Sequence, residues 1–375
     1  MKIKMICDVL GEANNGTTLA ALNLITHLRS KGYDLTVVSP DADRSGHGFV
    51  TVPQLNLGCL LNHVVEKNGV RLAKADKSVL REAIRDADVV HLLTPLPLAA
   101  AALRIARQWK IPVTASFHCQ AENVTAHLGL MNFPLANAIT YRMFYRSVYR
   151  YCDAVHYPTA FIRDVFEKSV GHSTPAWVIS NGVNDMFVPP EVPRQPQLPF
   201  TIVCCGRYSR EKAQYQLIRA VGKSAHREQI RVIFAGTGPF EKYLHFLAKR
   251  KRIHAEFAFF ERSRLVQVLQ TADLYVHTAL VEIEAIACTE AICCGLVPVI
   301  CDSPRSATRL FAQGEHTLFT MRDSASLCAQ IDYWFEHPQQ RAARSASYAP
   351  MRKKFSQKEC MEQMEHMLRA AAKQA

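Results

Sequence analysis

The sequence predicts an α/β protein of two doubly wound, Rossmann-like domains facing each other across a cleft. Three observations predict it. Short apolar, β-branched runs alternate with longer segments of helical period, the βαβ rhythm of a parallel sheet with helices on both faces. That rhythm stops once, at a segment holding five prolines between Val188 and Pro199, and then restarts. The length, 375 residues, suits two domains at roughly 150 residues each.

The elements follow in order. Ile3 to Cys7 is a first strand, Thr17 to Arg29 a helix with apolar residues at helical spacing, and Asp34 to Val38 a second strand. Val89 to Leu93, Val113 to Phe117, Ala154 to Tyr157 and Trp177 to Ile179 continue the first sheet. The proline-rich segment can be neither helix nor central strand, so 185–199 reads as an extended linker. Phe200 to Cys205 opens the second sheet, a helix follows from about Ala213, and Arg231 to Ala235, Ala255 to Phe260, Leu274 to His277 and Val297 to Cys301 supply more strands. The tail, Gln357 to Ala375, has the pattern of one amphipathic helix. The expected domains are 1–184 and 200–350, with 351–375 a C-terminal helix packing back towards the first. Ligands of such sheets bind beyond the carboxyl ends of the strands.

Composition narrows the function classes. Apolar residues make up 49% and charged residues 21%, which excludes a disordered chain. No run approaches the roughly 18 apolar residues of a bilayer span, and Met1 to Asp8 is too short and too soon acidic for a signal peptide. Twelve cysteines without a Cys-x-x-Cys pair argue against structural zinc and a thioredoxin-type site. Adjacent pairs, Cys204-Cys205 and Cys293-Cys294, sit in apolar runs as small hydrophobes, and the expected compartment is the cytosol. A net charge of +12 favours an anionic partner.

Two segments concentrate the chemistry. From His277 to Ile300 a strand runs out, a loop follows, a helix is expected from near Ile283, and Gly295 stops it. Glu282 would then stand at the helix N-terminus, where free N–H groups can hold a phosphate. Glu290, seven residues further, lies among Ala, Ile and Cys, where an unpaired carboxylate is costly. The second segment runs from Ile202 to Lys212. A buried strand ends at Gly206, and Arg207, Arg210 and Lys212 crowd the loop beyond it. Arg207 and Lys212, five apart, can clamp a diphosphate: Arg gives planar bidentate contacts and Lys a mobile point charge.

Together these segments resemble the retaining glycosyltransferases of family 4, with the GT-B fold. The resemblance rests on the pair Glu282 and Glu290 and on Gly206-Arg207 followed by Glu211-Lys212. Further matches lie in order along the chain: Asn15-Gly16-Thr17, Ser180 to Asn184 with Phe187-Val188-Pro189, Ala235 to Pro239, and Thr271 to His277. The resemblance implies that Arg207 and Lys212 bind the diphosphate of a nucleotide sugar and that Glu290 accepts hydrogen bonds from ribose hydroxyls. It implies that Glu282, with Ile283, contacts the donor sugar. His118 would face the reacting sugar and β-phosphate, and Gly16 would let the backbone approach the phosphate. The first domain would bind the acceptor and the second the donor. Here the family's small residue, aromatic and Gly after the first Glu are replaced by Ile283-Glu284-Ala285.

The reaction implied is transfer of a hexose from a nucleoside diphosphate sugar, UDP being the family's common base, to a hydroxyl acceptor with retention. The cations would stabilise the leaving diphosphate. Asp41-Ala42-Asp43 and Asp86-Ala87-Asp88 are weak metal motifs, the second at the amino end of its strand, so no metal and no cofactor are expected. On the acceptor side, Arg142, Arg146 and Arg150 recur every four residues beside Tyr141, Phe144, Tyr145, Val148 and Tyr149. Such a basic and aromatic stripe suits an anionic lipid interface; the alternative is a helix whose aromatics pack on its own core. A nucleotide-sugar 2-epimerase on the same fold and a non-catalytic membrane-docking protein remain open. A nicotinamide oxidoreductase does not fit, because the Gly-x-Gly-x-x-Gly fingerprint is incomplete. No groove-reading or base-stacking motif points to nucleic acid, and the oligomeric state is left open.

Overall fold

Alternating β-branched runs and amphipathic segments give 13 strands and 14 α-helices in the computed structural model, which describes residues 1–8, 10, 16–41, 48–56, 73–126, 129–192 and 194–373. Asn15, Asp43 and Pro193 lie outside the described residues.

The first compact unit comprises Met1–Asn181 with Glu359–Ala375. Its strands are β1 (Lys2–Ile6), β2 (Asp34–Ser39), β3 (Phe49–Thr51), β4 (Val89–Leu92), β5 (Val113–Ser116), β6 (Ala154–Tyr157) and β7 (Ala176–Val178). They form one parallel sheet in the order β3-β2-β1-β4-β5-β6-β7. Its helices are α1 (Gly16–Ser30), α2 (Lys77–Ile84), α3 (Pro97–Gln108), α4 (Ala121–Ala126), α5 (Pro134–Ser147) and α6 (Ala160–Val170). Leu96, before α3, makes no side-chain cap, and the task passes to Asp8 at the end of β1. Its carboxylate accepts from the N–H groups of Leu98 and Ala99 at 2.7 and 2.9 Å. Strand β1 is thereby tied to the helix that leads to β5.

The second unit is Gly182–Lys358. It holds β8 (Phe200–Cys205), α7 (Tyr215–Val221), β9 (Ile230–Ala235), α8 (Glu241–Lys251), β10 (His254–Ala258), α9 (Arg262–Thr271), β11 (Leu274–His277), α10 (Ile286–Cys293), β12 (Pro298–Asp302), β13 (Leu318–Thr320), α11 (Ser324–Glu336), α12 (Pro338–Ser347) and α13 (Ala349–Lys353). Its parallel sheet runs β10-β9-β8-β11-β12-β13. Both sheets therefore repeat one winding: third, second, first, fourth, fifth, sixth strand. In each the order reverses between the first and fourth strands, the switch point where such folds place ligands.

Two organisational expectations change. The proline-rich segment holds neither helix nor strand among its described residues, and Arg194 anchors it to the second unit. Its guanidinium donates to the carbonyls of Leu269, Gln270, Cys294 and Gly295, at the C-terminal ends of α9 and α10, over 2.7–3.2 Å. A cation there satisfies orphan carbonyls and complements two helix dipoles. The units consequently divide at Asn181/Gly182 and Lys358/Glu359, rather than at 184 and 350. The last helix, α14, spans Gln357–Ala372, starting where its amphipathic pattern begins and not at the expected segment boundary of 351. Cys360, Met361, Met364, Met367, Leu368 and Ala371 are buried in the core built on β1 and α1. Each large apolar side chain so buried contributes about 1.5–3 kcal/mol relative to exposure. Glu365 adds polar ties to α1 and the turn after it, accepting from Tyr33 Oη at 2.6 Å and lying 3.0 Å from His27 Nε2.

Candidate active site

The site in the second unit grows from the ends of β8, β9 and β11, at the switch point. Two glycines let the β8 and β9 loops approach. A Cβ on Gly236 would lie 2.2 Å from the Gly206 carbonyl oxygen, and one on Gly238 2.5 Å from that of Tyr208. The β8 loop is also sewn to the β11 loop. Leu280 N–H donates to Glu211 O at 2.7 Å, and Thr278 Oγ1 donates to Lys212 O at 2.7 Å. Gln214 Nε2 reaches Arg207 O at 2.8 Å, so a side chain from the same loop holds the backbone of the half-buried Arg207.

These ties bring Lys212 and Glu282 together as an ion pair, with side chains 24% and 12% exposed. His277, at the end of β11, places Nε2 3.3 Å from the same Glu282 oxygen, while its Nδ1 lies 3.2 Å from Tyr275 Oη. Burial would raise the Glu282 carboxyl, but the Lys212 ammonium and His277 outweigh it and hold the carboxyl at about 2. Burial lowers the Arg207 guanidinium against the opposing charge of Glu211.

Glu282 does not stand at a helix N-terminus as expected. It lies in extended chain, bridged to Ser306, with its N–H on Arg305 O and its carbonyl accepting from Ala307 N. Helix α10 begins only at Ile286, because Ala285 before it adopts left-handed backbone, φ 62° and ψ 63°. This is the position where the related motif carries Gly. A Cβ in this conformation costs roughly 1–2 kcal/mol, of which the greater chain entropy of Gly would return about half. Ala285→Gly is therefore expected to stabilise the second unit by up to about 1 kcal/mol, read as a rise of roughly 2–4 °C in its thermal midpoint. An unchanged or lower midpoint would remove strain as the reason α10 starts late.

Glu290 is buried on α10 and is not solitary. Arg262, the first residue of α9, donates through Nη2 to Glu290 Oε1 at 2.7 Å, and its guanidinium lies 4.9 Å from the Phe187 ring centroid. Burial raises the Glu290 carboxyl and Arg262 opposes it. His277 and Arg262 were both missed from sequence. His277 was hidden as the last residue of an apolar strand, and nothing around Arg262 marks it.

In the first unit, Gly16 opens α1 and is exposed, and the next residue, Thr17, donates through Oγ1 to His118 O at 3.4 Å. The start of α1 and the segment after β5 thus meet there. Beside His118 runs a buried polar chain whose direction is fixed. His156 Nε2 faces Ile179 O at 2.7 Å, so that nitrogen carries the proton. Its Nδ1 then accepts from Ser116 Oγ at 2.9 Å, Ser116 accepts from His91 Nε2 at 3.0 Å, and His91 Nδ1 accepts from Thr114 Oγ1 at 2.9 Å. The His118 ring stands edge-on to His156 with centroids 5.5 Å apart. Burial, then the neighbouring His156 and His91, hold His118 well below its ordinary pKa, as a neutral imidazole.

The two Asp-x-Asp matches are spent otherwise or unseen. Asp86 pairs with Lys2 and Lys4, each at 2.9 Å, and Asp88 accepts from Lys2 N, all at the amino ends of β1 and β4. Asp41 is buried, and Asp43 lies outside the described residues. Arg142, Arg146 and Arg150 are exposed, but the aromatics beside them are not. Tyr141, Phe144 and Tyr149 are buried with Phe117 and Phe166, and Tyr145 is half-buried. The expected basic-aromatic stripe is thus corrected: helical period turns its rings into the core.

Two parallel sheets of one winding, with a lysine–glutamate pair at the switch point of the second, define a GT-B glycosyltransferase. Residues 14–187 match the family model for glycosyltransferase family 4, and residues 190–351 that for glycosyl transferases group 1. The chain belongs to this family. A GDP-mannose-dependent alpha-mannosyltransferase of Corynebacterium glutamicum is 27% identical over 195 residues, 50% of this chain and 42% of the relative. The matched segment is thus less than half the length of that curated relative. Anabaena Alr3699/HepE, solved with UDP and with UDP-glucose, has a TM-score of 0.76 at 17% identity, covering 99% of this chain and 100% of that one, a likeness of fold. The catalytic domain of cholesterol-alpha-glucosyltransferase from Helicobacter pylori is 44% identical over 42% of this chain and 99% of that one, with a TM-score of 0.41.

Proposed function

We propose that the chain transfers a hexose from a nucleoside diphosphate sugar to a hydroxyl acceptor, with retention and without a metal. One observation carries the reading: Lys212, in a loop that also holds Arg207, meets Glu282 at the β8/β11 switch point. Breaking the bond from the sugar carbon to phosphate leaves a diphosphate anion. Fixed cations are the groups that stabilise such a leaving group as its charge develops. Arg207 and Lys212 take that role, Glu282 and Ile283 border the donor sugar, and Glu290 accepts from ribose hydroxyls. His118 and Gly16 are assigned to the reacting sugar and to a phosphate by family resemblance alone. Retention by attack of the acceptor on the face the diphosphate leaves is what the family resemblance implies. The relatives bind UDP and UDP-glucose or use GDP-mannose, by their descriptions. UDP is the favoured base and GDP the competitor.

Thermal unfolding with UDP, GDP and ADP and their sugars, without added metal, tests this. A ligand at a hundred times its dissociation constant adds about 2.7 kcal/mol of stability. One nucleotide series is expected to stabilise the wild type, with the shift cut to about a third in Lys212→Ala and lost in Glu290→Ala. No shift with any nucleotide would overturn the reading.

A further inference from the structure

Helix α5 presents to water what a globular helix ordinarily buries. Its inward line is Asn137, Thr140, Tyr141 and Phe144. Its outward line is Leu135, Ile139 and Met143, four residues apart and 65%, 56% and 54% exposed. Phe133, just before the helix, is 62% exposed. Arg142 and Arg146 continue the same face at the same spacing, so an apolar line of about 12 Å, Leu135 to Met143, runs into a basic one towards the C-terminal end of the helix.

The basic side is concave. Arg142, Arg146 and Arg150, with Tyr145, Val170 and His172, line a cavity of about 280 Å³. Its floor is ordered by the Tyr145 and His172 rings, stacked at 5.1 Å and 7° between planes. No carboxylate lines it, and among the described residues none of the three arginines has a carboxylate partner. Clustered unpaired cations repel one another and await an anion.

We propose that this face docks on an anionic lipid bilayer, with Phe133, Leu135, Ile139 and Met143 entering the acyl boundary and the arginine cavity seating a lipid phosphate. Charge and apolarity together select this occupant. A bilayer offers phosphates beside hydrocarbon at the spacing of one helix face. Nucleic acid offers phosphates without hydrocarbon. A second copy of this chain would bring the same arginines and a net charge of +12 against them. No described helix is long and apolar enough to cross the membrane, so the contact is one of surface. It needs no nucleotide and belongs to the first unit, whereas the donor site is built in the second.

Vesicle flotation without nucleotide tests it. The wild type is expected to float with phosphatidylglycerol-containing vesicles, not with phosphatidylcholine alone, and less so as salt rises. Arg142→Gln with Arg146→Gln should weaken binding by about 25-fold, about fivefold for each charge removed. Ile139→Asp with Met143→Asp should abolish flotation while the thermal midpoint is kept, the replaced side chains being exposed. Three results overturn the proposal: a wild type that does not float, apolar variants that float like the wild type, and a dimer in sedimentation that the Asp variants dissociate while flotation is unchanged. The first of these results, found together with binding of inorganic phosphate, would make the cavity a soluble-anion site instead.

Discussion

Glu282→Gln is expected to tighten UDP binding about tenfold while transfer falls, and Lys212→Ala to weaken the same binding by roughly 30-fold. The two signs follow from one ion pair. The Lys212 ammonium is engaged by the largely buried Glu282 carboxylate. A diphosphate entering beside it must share that ammonium and approach a like charge. Replacing the carboxylate by a neutral amide removes the repulsion and frees the lysine, and about 1.4 kcal/mol of relief is a tenfold gain. Removing the lysine instead deletes a charge-assisted contact worth about 2 kcal/mol. Turnover separates from affinity because Glu282 is assigned to the sugar, which UDP lacks. Calorimetric titration with UDP, alongside transfer assays, decides it. Weaker UDP binding in both variants would mean that Glu282 orients Lys212 for the phosphate instead of competing for it. Acid stability carries a second signature. A carboxyl held at about 2, below its ordinary 4.5, gives stability that is present above 4.5 and lost as pH falls from 4.5 through 2. Lys212→Ala removes much of this gain, so variant and wild type should converge at the acid end of that window.

The loop around Glu282 also shows how far a sequence can be read. The strands from Ala154, Phe200 and Leu274 were legible because apolar β-branched runs of that length in a βαβ rhythm have one solution. Strands β3 and β13, three residues each at sheet edges, carry too few residues to show a period. The start of α10 was placed three residues early because its stop signal is Ala285, a residue type that rarely takes left-handed backbone, where Gly would have announced the turn. The ordered motifs located Arg207, Lys212, Glu282 and Glu290. They could not locate Arg262, which reaches Glu290 across 28 residues with no local pattern. On α5 the arginines were visible and their apolar companions were misassigned. Counting by four from Leu135 would have found Ile139 and Met143, whereas attention to aromatics selected residues that the same period turns inward.

Arg262→Ala is expected to destabilise the second unit by about 2 kcal/mol at pH near 8, and by much less near pH 5. The Glu290 side chain is 5% exposed, among cysteine, alanine and isoleucine on α10, and Arg262 neutralises it from α9. Removing one partner of a fully buried pair costs about 3–5 kcal/mol, and the figure is reduced here because Arg262 itself is 37% exposed and water screens part of the interaction. Burial already raises the Glu290 carboxyl, and without the guanidinium it rises further. A carboxyl raised above its unfolded value favours the folded state while protonated, and that advantage is lost as pH climbs through the raised value. The penalty therefore grows as pH climbs above the ordinary carboxyl value of 4.5, as the carboxylate is forced to ionise without a partner. Thermal midpoints between pH 5 and 8 should diverge from the wild type by roughly 4–8 °C at the alkaline end. Adding Glu290→Gln to Arg262→Ala should remove the pH dependence and recover most of the loss. What remains is the contact of the guanidinium with Phe187, about 0.5–1 kcal/mol. A loss of the same size at both pH values, unrelieved by Glu290→Gln, would show that Arg262 acts through packing on Phe187 and not through the charge of Glu290.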